Sequence, residues 1–167
     1  VLVQPAELPT SVTYANGQLP TPEDFYATHL KGRQAGVFRG MGTSWLASKW
    51  TDEVRVRERF GHELFAVELR KEQFANGDDE PPPKERMSLS TFLDRYRDEA
   101  LYLDAPLTGS EMMLDIPIPT ILQCPALSSA INSAHLLWSS GGTSSYLHHD
   151  GYDNLLTVVD GTKTVLL

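Results

Sequence analysis

Apolar and polar residues recur along this chain at two periods, and most of the elements follow from them. Leu89, Phe92, Leu93 and Tyr96 stand at i, i+3, i+4 and i+7 behind Ser88. That stripe belongs to a helix with one buried face, and it predicts a helix from Ser88 as cap to about Arg97 with its aromatics in the core. Leu64-Phe-Ala-Val-Glu-Leu69 and Ala134-His-Leu-Leu-Trp138 read as strands, and Ala35-Gly-Val-Phe-Arg39 as a shorter one. Asn154-Leu-Leu-Thr-Val-Val159 and Thr164-Val-Leu-Leu167 flank Asp160-Gly161-Thr162-Lys163. Two strand-like runs around a Gly-containing turn predict a hairpin.

Between these runs, local signals mark starts and stops. Thr21-Pro22-Glu23-Asp24 offers an N-cap, a proline at the first helical position and acids in the first turn, so a helix is expected to about Lys31 with Gly32 as its stop. Ser44 to Lys49 reads as a helical turn carrying Trp45. Thr51-Asp52-Glu53 opens a further helix that Gly61 closes after Phe60. Lys71 to Arg86, with Asn76-Gly77 and the triple proline ending at Pro83, reads as a solvated loop. Glu111 to Asp115 fits a single turn, and Pro117 and Pro119 keep 115–120 extended. The expected organisation is an extended arm over 1–20, a helical and mixed part over 21–135, and strands bearing the candidate chemistry over 136–167.

Composition narrows the class. The 167 residues are 41% hydrophobic with a mean hydropathy of -0.27, values of a globular protein rather than a disordered or membrane one. No apolar run approaches the ~18 residues of a membrane span, and no basic segment followed by an apolar core marks a targeting peptide. The net charge of -8 argues against a nucleic-acid backbone as partner, since phosphates call for a basic patch. A single cysteine, Cys124, rules out an intrachain disulfide and fits a reducing compartment, so an intracellular location, cytoplasm or nucleus, is expected.

One triplet carries candidate chemistry. In a strand, residues two apart point to one face, so His148 and Asp150 can aim an imidazole nitrogen and a carboxylate oxygen at a common point while His149 faces away. Such a pair leaves coordination positions free and suits an open Fe(II) site of the two-His-one-carboxylate type better than a closed zinc site. An isolated H-x-D is more often a surface pair. The hairpin that would return Lys163 toward it raises its standing, because a lysine can hold a distal carboxylate as a point charge.

Gly142, Thr143, Ser145, His148, Asp150, Asn154, Gly161 and Lys163 together resemble the first half of a Jumonji C domain, in the cupin superfamily of Fe(II)- and 2-oxoglutarate-dependent oxygenases. The resemblance is strong from about Leu136 onward and weaker upstream. It implies a mainly β fold with flanking helices, a cupin or double-stranded β-helix (jelly-roll) barrel whose C-terminal half is missing here. It also implies iron ligands at His148 and Asp150, a distal 2-oxoglutarate carboxylate on Lys163 and Ser145, and an amide near the metal-bound end at Asn154. Tyr102 resembles a tyrosine that bonds the same carboxylate, and it reads equally well as a core aromatic of a strand. The activity implied is hydroxylation or demethylation of a protein side chain by O2 through an iron-oxo intermediate.

The family's third ligand, a distal histidine, is expected beyond Leu167. His135 reads as a strand-end histidine, and His29 and His62 as surface groups on or beside helices. An open half-barrel is expected to fold poorly alone and to be inactive. Two other readings stand: a catalytically silent cupin-like module that binds a partner through an acidic N-terminal region, and a zinc or manganese sugar isomerase. Ser145, Asn154 and Lys163 at their spacing favour the oxo-acid reading over the isomerase.

Overall fold

The computed structural model describes residues 11–15, 17–41, 47–69, 72–73, 82–145 and 148–166. In chain order these form β1 (Val12–Tyr14), α1 (Pro22–Phe25), β2 (Gly36–Phe38), α2 (Ala47–Trp50), α3 (Glu53–Phe60), β3 (Leu64–Glu68), β4 (Glu72–Gln73) and β5 (Lys84–Ser88). There follow α4 (Leu89–Arg95), β6 (Tyr102–Pro106), α5 (Pro125–Ser128), β7 (His135–Ser139) and β8 (Ser144–Ser145). They belong to two compact units, one of 1–48, 117–131 and 153–167, the other of 49–116 and 132–152.

In the first unit, α1 starts where the sequence predicts. Thr21 accepts a hydrogen bond from the Asp24 amide, with Pro22 behind it. The helix then widens into a π-helical turn over Tyr26–Lys31 and ends at Gly32. Within the stretch expected to be an unpaired arm, Val12–Tyr14 is a strand, parallel to β2. His29 also departs from expectation. It is half-buried, with Nε2 3.0 Å from the Tyr14 hydroxyl and Nδ1 2.6 Å from the Gln34 carbonyl, among the rings of Phe25, Phe38 and Tyr14. The imidazole turns inward because both ring nitrogens find partners there. Phe25, Ile121 and Leu127 form this unit's core.

The second unit is built on an antiparallel sheet of order β5-β3-β6-β7. Directly opposed residues share a face. One face carries Phe65, Val67, Met87, Leu103, Ala105 and Leu136, all buried together with Leu89, Phe92, Leu93 and Tyr96 of the predicted helix and its cap. Phe92 and Tyr96 meet the Trp138 ring edge-on, 6.2 and 6.0 Å between centroids. Ser88 caps α4 by accepting from Thr91 N, and Asp52 caps α3 by accepting from Val54 N and Arg55 N. Gly61 ends α3 where no side chain fits, since a Cβ there would collide with the Ser90 hydroxyl and the Arg57 carbonyl.

A single-turn 3-10 helix at Glu111–Asp115, as predicted, is tied to α2 and α3 through Asp115, which is 7% exposed. Its carboxylate accepts two bonds from the Arg59 guanidinium, at 2.7 and 3.0 Å, one from Trp50 Nε1 at 3.2 Å and one from Lys49 at 3.3 Å. Those bonds from Arg59, opposed by burial and helped by Trp50 and Lys49, hold the Asp115 carboxyl below the usual carboxylate range.

Two further expectations are corrected. The loop predicted over 71–86 contains β4 and most of β5, an edge strand along β3. Its Lys84-Glu85-Arg86 reads as loop because sheet edges carry charge that a central strand does not. The hairpin predicted from Asn154 onward is absent among the described residues: 154–158 and 162–166 join no ladder. Leu155, Thr157 and Val159 are half-buried while Leu156 and Val158 are exposed, so the period of two survives without a partner strand. The described sheets are open rather than closed into a barrel.

Candidate metal centre

The sequence around the H-x-D triplet is shaped by two glycines. After β7, Gly141 and Gly142 adopt φ of +90° and +67°, a left-handed backbone that side-chain-bearing residues rarely take. Ser139 Oγ accepts from the Gly141 amide and lies 3.3 Å from the Thr143 hydroxyl, closing the turn. The chain then enters β8, where Ser144 and Ser145 lie parallel to Glu72 and Gln73.

His148 and Asp150 are not strand residues here, so strand geometry is not what aims them. They nevertheless converge, His148 Nε2 standing 3.9 Å from Asp150 Oδ1 with the side chains 46% and 52% exposed. Two donors each ~2.1 Å from one ion stand at most ~4.2 Å apart, so the 3.9 Å separation lies just inside the limit for a shared ion. His149 is also exposed. Among the described residues, no group of three or more His, Cys, Asp and Glu side chains gathers in metal-binding geometry.

The other candidates divide between the two units. Ser145 and Tyr102 share the second unit with His148 and Asp150, whereas Asn154 and Lys163, both exposed, belong to the first. Ahead of Lys163 the chain bends, with Gly161 at φ +78° and its amide donating to Asp160 Oδ1, but it closes no hairpin among the described residues.

Tyr102 is a half-buried strand residue of β6, opposed by Glu68 on one side and Ser139 on the other. Burial first, then the charges of Asp104 and Glu68, push its phenol up to about 12. Glu68 itself was not anticipated. In Leu64-Phe-Ala-Val-Glu68 the period of two sets it on the face opposite Phe65 and Val67, where an acid ordinarily meets water, yet it is 2% exposed. Lys84 contacts its Oε1 at 3.2 Å. His135, the expected strand-end histidine, is exposed and has Nδ1 3.3 Å from Asp104 Oδ1; His62 is exposed beyond α3, as expected.

Among the described residues, no helix is long and apolar enough to cross a membrane. A family model described as a cupin-like domain matches residues 22–167. No curated protein is significantly similar in sequence.

Proposed function

The chain belongs to the cupin-like domain family, and on that premise we propose that it is the metal-binding part of an Fe(II)- and 2-oxoglutarate-dependent oxygenase acting on a protein side chain. The observation that carries the reading is the approach of His148 and Asp150 to 3.9 Å inside a motif that continues to Asn154 and Lys163. Fe(II) held by His148 and Asp150, with a further ligand, would supply O2 activation coupled to oxidative decarboxylation of 2-oxoglutarate to succinate.

The chain's own residues have definable tasks in that reading. His148 would hold the dication through an imidazole nitrogen and Asp150 through a carboxylate, a donor pair that would offset its charge only in part. Lys163 provides an ammonium and Ser145 a hydroxyl donor for the distal carboxylate of the cosubstrate, fixing its orientation. Asn154 offers an amide that can donate to the cosubstrate's metal-bound end. Hydroxylation and demethylation share these tasks, since both begin with removal of hydrogen from a substrate carbon.

The test is anaerobic Fe(II) titration of the full natural chain with and without 2-oxoglutarate, following the weak visible charge-transfer band of the chelate. The band is expected in the native chain, lost in His148→Ala, and in Lys163→Ala shifted to at least tenfold higher 2-oxoglutarate. Absence of iron binding, or binding without the band, would overturn the oxygenase reading in favour of a catalytically silent cupin-like binding module.

A further inference from the structure

We propose that Asp160–Gly161 is a spontaneous isomerisation site, where the main chain is rerouted through the Asp160 side chain to leave an isoaspartyl linkage. The reaction needs a carboxyl whose carbon the next residue's amide nitrogen can reach, and a following glycine hinders that nitrogen least. The folded chain presents both. The Gly161 amide nitrogen stands 2.8 Å from Asp160 Oδ1, and so no more than one C–O bond further from Cγ, the atom it attacks. In a helix or a strand ladder that amide would be engaged with another carbonyl; here it faces the carboxyl, and such preset proximity is what speeds an intramolecular attack.

The surroundings leave room for the ring that forms. Gly161 is at φ +78°, and apart from the adjoining residues no described heavy atom lies within 4 Å of where a Cβ would stand. Both residues are exposed, so water reaches the carboxyl. Residues 162–166 join no ladder, so no described strand pairing resists the backbone rotation at Asp160 that ring closure requires. The nitrogen lone pair forms the N–Cγ bond, and the protonated carboxyl loses its hydroxyl together with the amide proton as water. A five-membered succinimide results. Water then adds to one of its two carbonyls and breaks that carbonyl's bond to nitrogen. Opening at Cγ restores aspartate; opening at the main-chain carbonyl leaves the chain running through Cβ and Cγ, with a free α-carboxylate.

Water is the only other reactant, and mass and charge end unchanged. The main chain, however, gains one carbon three residues before Lys163. Only the loss of cosubstrate binding that a displaced Lys163 would bring rests on the oxygenase reading; the modification itself needs no metal. Its test incubates the metal-free full chain in mildly acidic heavy-oxygen water, beside a capped peptide of residues 157–165. Each passage through the ring adds one heavy oxygen. Peptide mapping with electron-transfer fragmentation tells isoaspartate from aspartate, and Asp160 from Asp150, where the same dipeptide recurs. Label and isoaspartate at Asp160 are expected to accumulate in the folded chain at least as fast as in the peptide. Asp160→Glu, whose ring would be six-membered, should slow labelling at that position at least tenfold, and Gly161→Ala at least threefold.

Absence of label at Asp160 overturns the proposal, as does a folded chain that reacts more slowly there than the peptide, or a rate unchanged in Asp160→Glu. Failure of iron binding with Asp160 isomerising as expected would sink the oxygenase reading alone.

Discussion

Leu103 and His148 belong to the same compact unit, yet they are held in opposite ways. Leu103 lies in β6 between two ladders, opposed by Val67 and Trp138, and is wholly buried. His148 lies outside any strand, with 46% of its side chain in solvent. The scaffold is thus secured by burial and cross-strand pairing, whereas the candidate ligands stand in solvent. The contrast teaches that the frame and the candidate site draw on separate residues, as is usual when function is carried on connecting segments over a rigid frame.

Substitutions can break that separation, and the largest effect is expected in the frame. Phe92→Ala removes a fully buried ring stacked on Tyr96 and edge-on to Trp138 and should cost about 3–5 kcal/mol in urea unfolding. A loss below about 1 kcal/mol would mean that α4 is not part of the core. Asp115→Ala should come next, at about 2–3 kcal/mol, because it strands Trp50 Nε1 and leaves Arg59 and Lys49 without their carboxylate. The half-exposed cations place the cost below that of a fully buried pair.

The same carboxylate gives a pH dependence with a definite sign. Arg59 holds the Asp115 carboxyl below its ordinary value, so its contribution is complete above the unfolded carboxylate pKa of ~3.9 and is lost as pH falls through the lower folded one. Thermal melts between neutral pH and about pH 3 should therefore fall less steeply in Asp115→Asn than in the native chain. Equal slopes would remove Asp115 from the acid response.

Smaller effects sharpen the comparison. Ser88→Ala deletes the α4 cap and should cost about 1 kcal/mol. His148→Ala should be smallest, within about 0.5 kcal/mol of the native chain in the same urea titration, while abolishing the Fe(II) binding proposed for it. A loss there as large as that of Phe92→Ala would show that His148 belongs to the frame after all.

Much of the frame was legible in the chain. The Thr21, Asp52 and Ser88 starts, the β2, β3 and β7 strands and the buried stripe of α4 depend on backbone capping and on periodicity, and both act over a few residues. His148 and Asp150 approach each other as expected, but not through the strand geometry from which that was expected. Three features lay beyond reach. The edge strand β5 hides its pairing behind surface charge, His29 turns inward to partners at Tyr14 and Gln34, and the segment from Asn154 has the alternation of a strand without a described neighbour to pair with.

The sequence by itself determined where helices start, which faces are apolar, and the spacing from Ser145 to Lys163, because each is set by residues close in the chain. Only the tertiary structure decided that Glu68 is buried beside Tyr102 and Asp104, and that Asp115 gathers Lys49, Trp50 and Arg59. Both depend on strands and turns distant in sequence meeting at a fixed register. The solvation of a charged group is then set by neighbours that its local pattern does not specify.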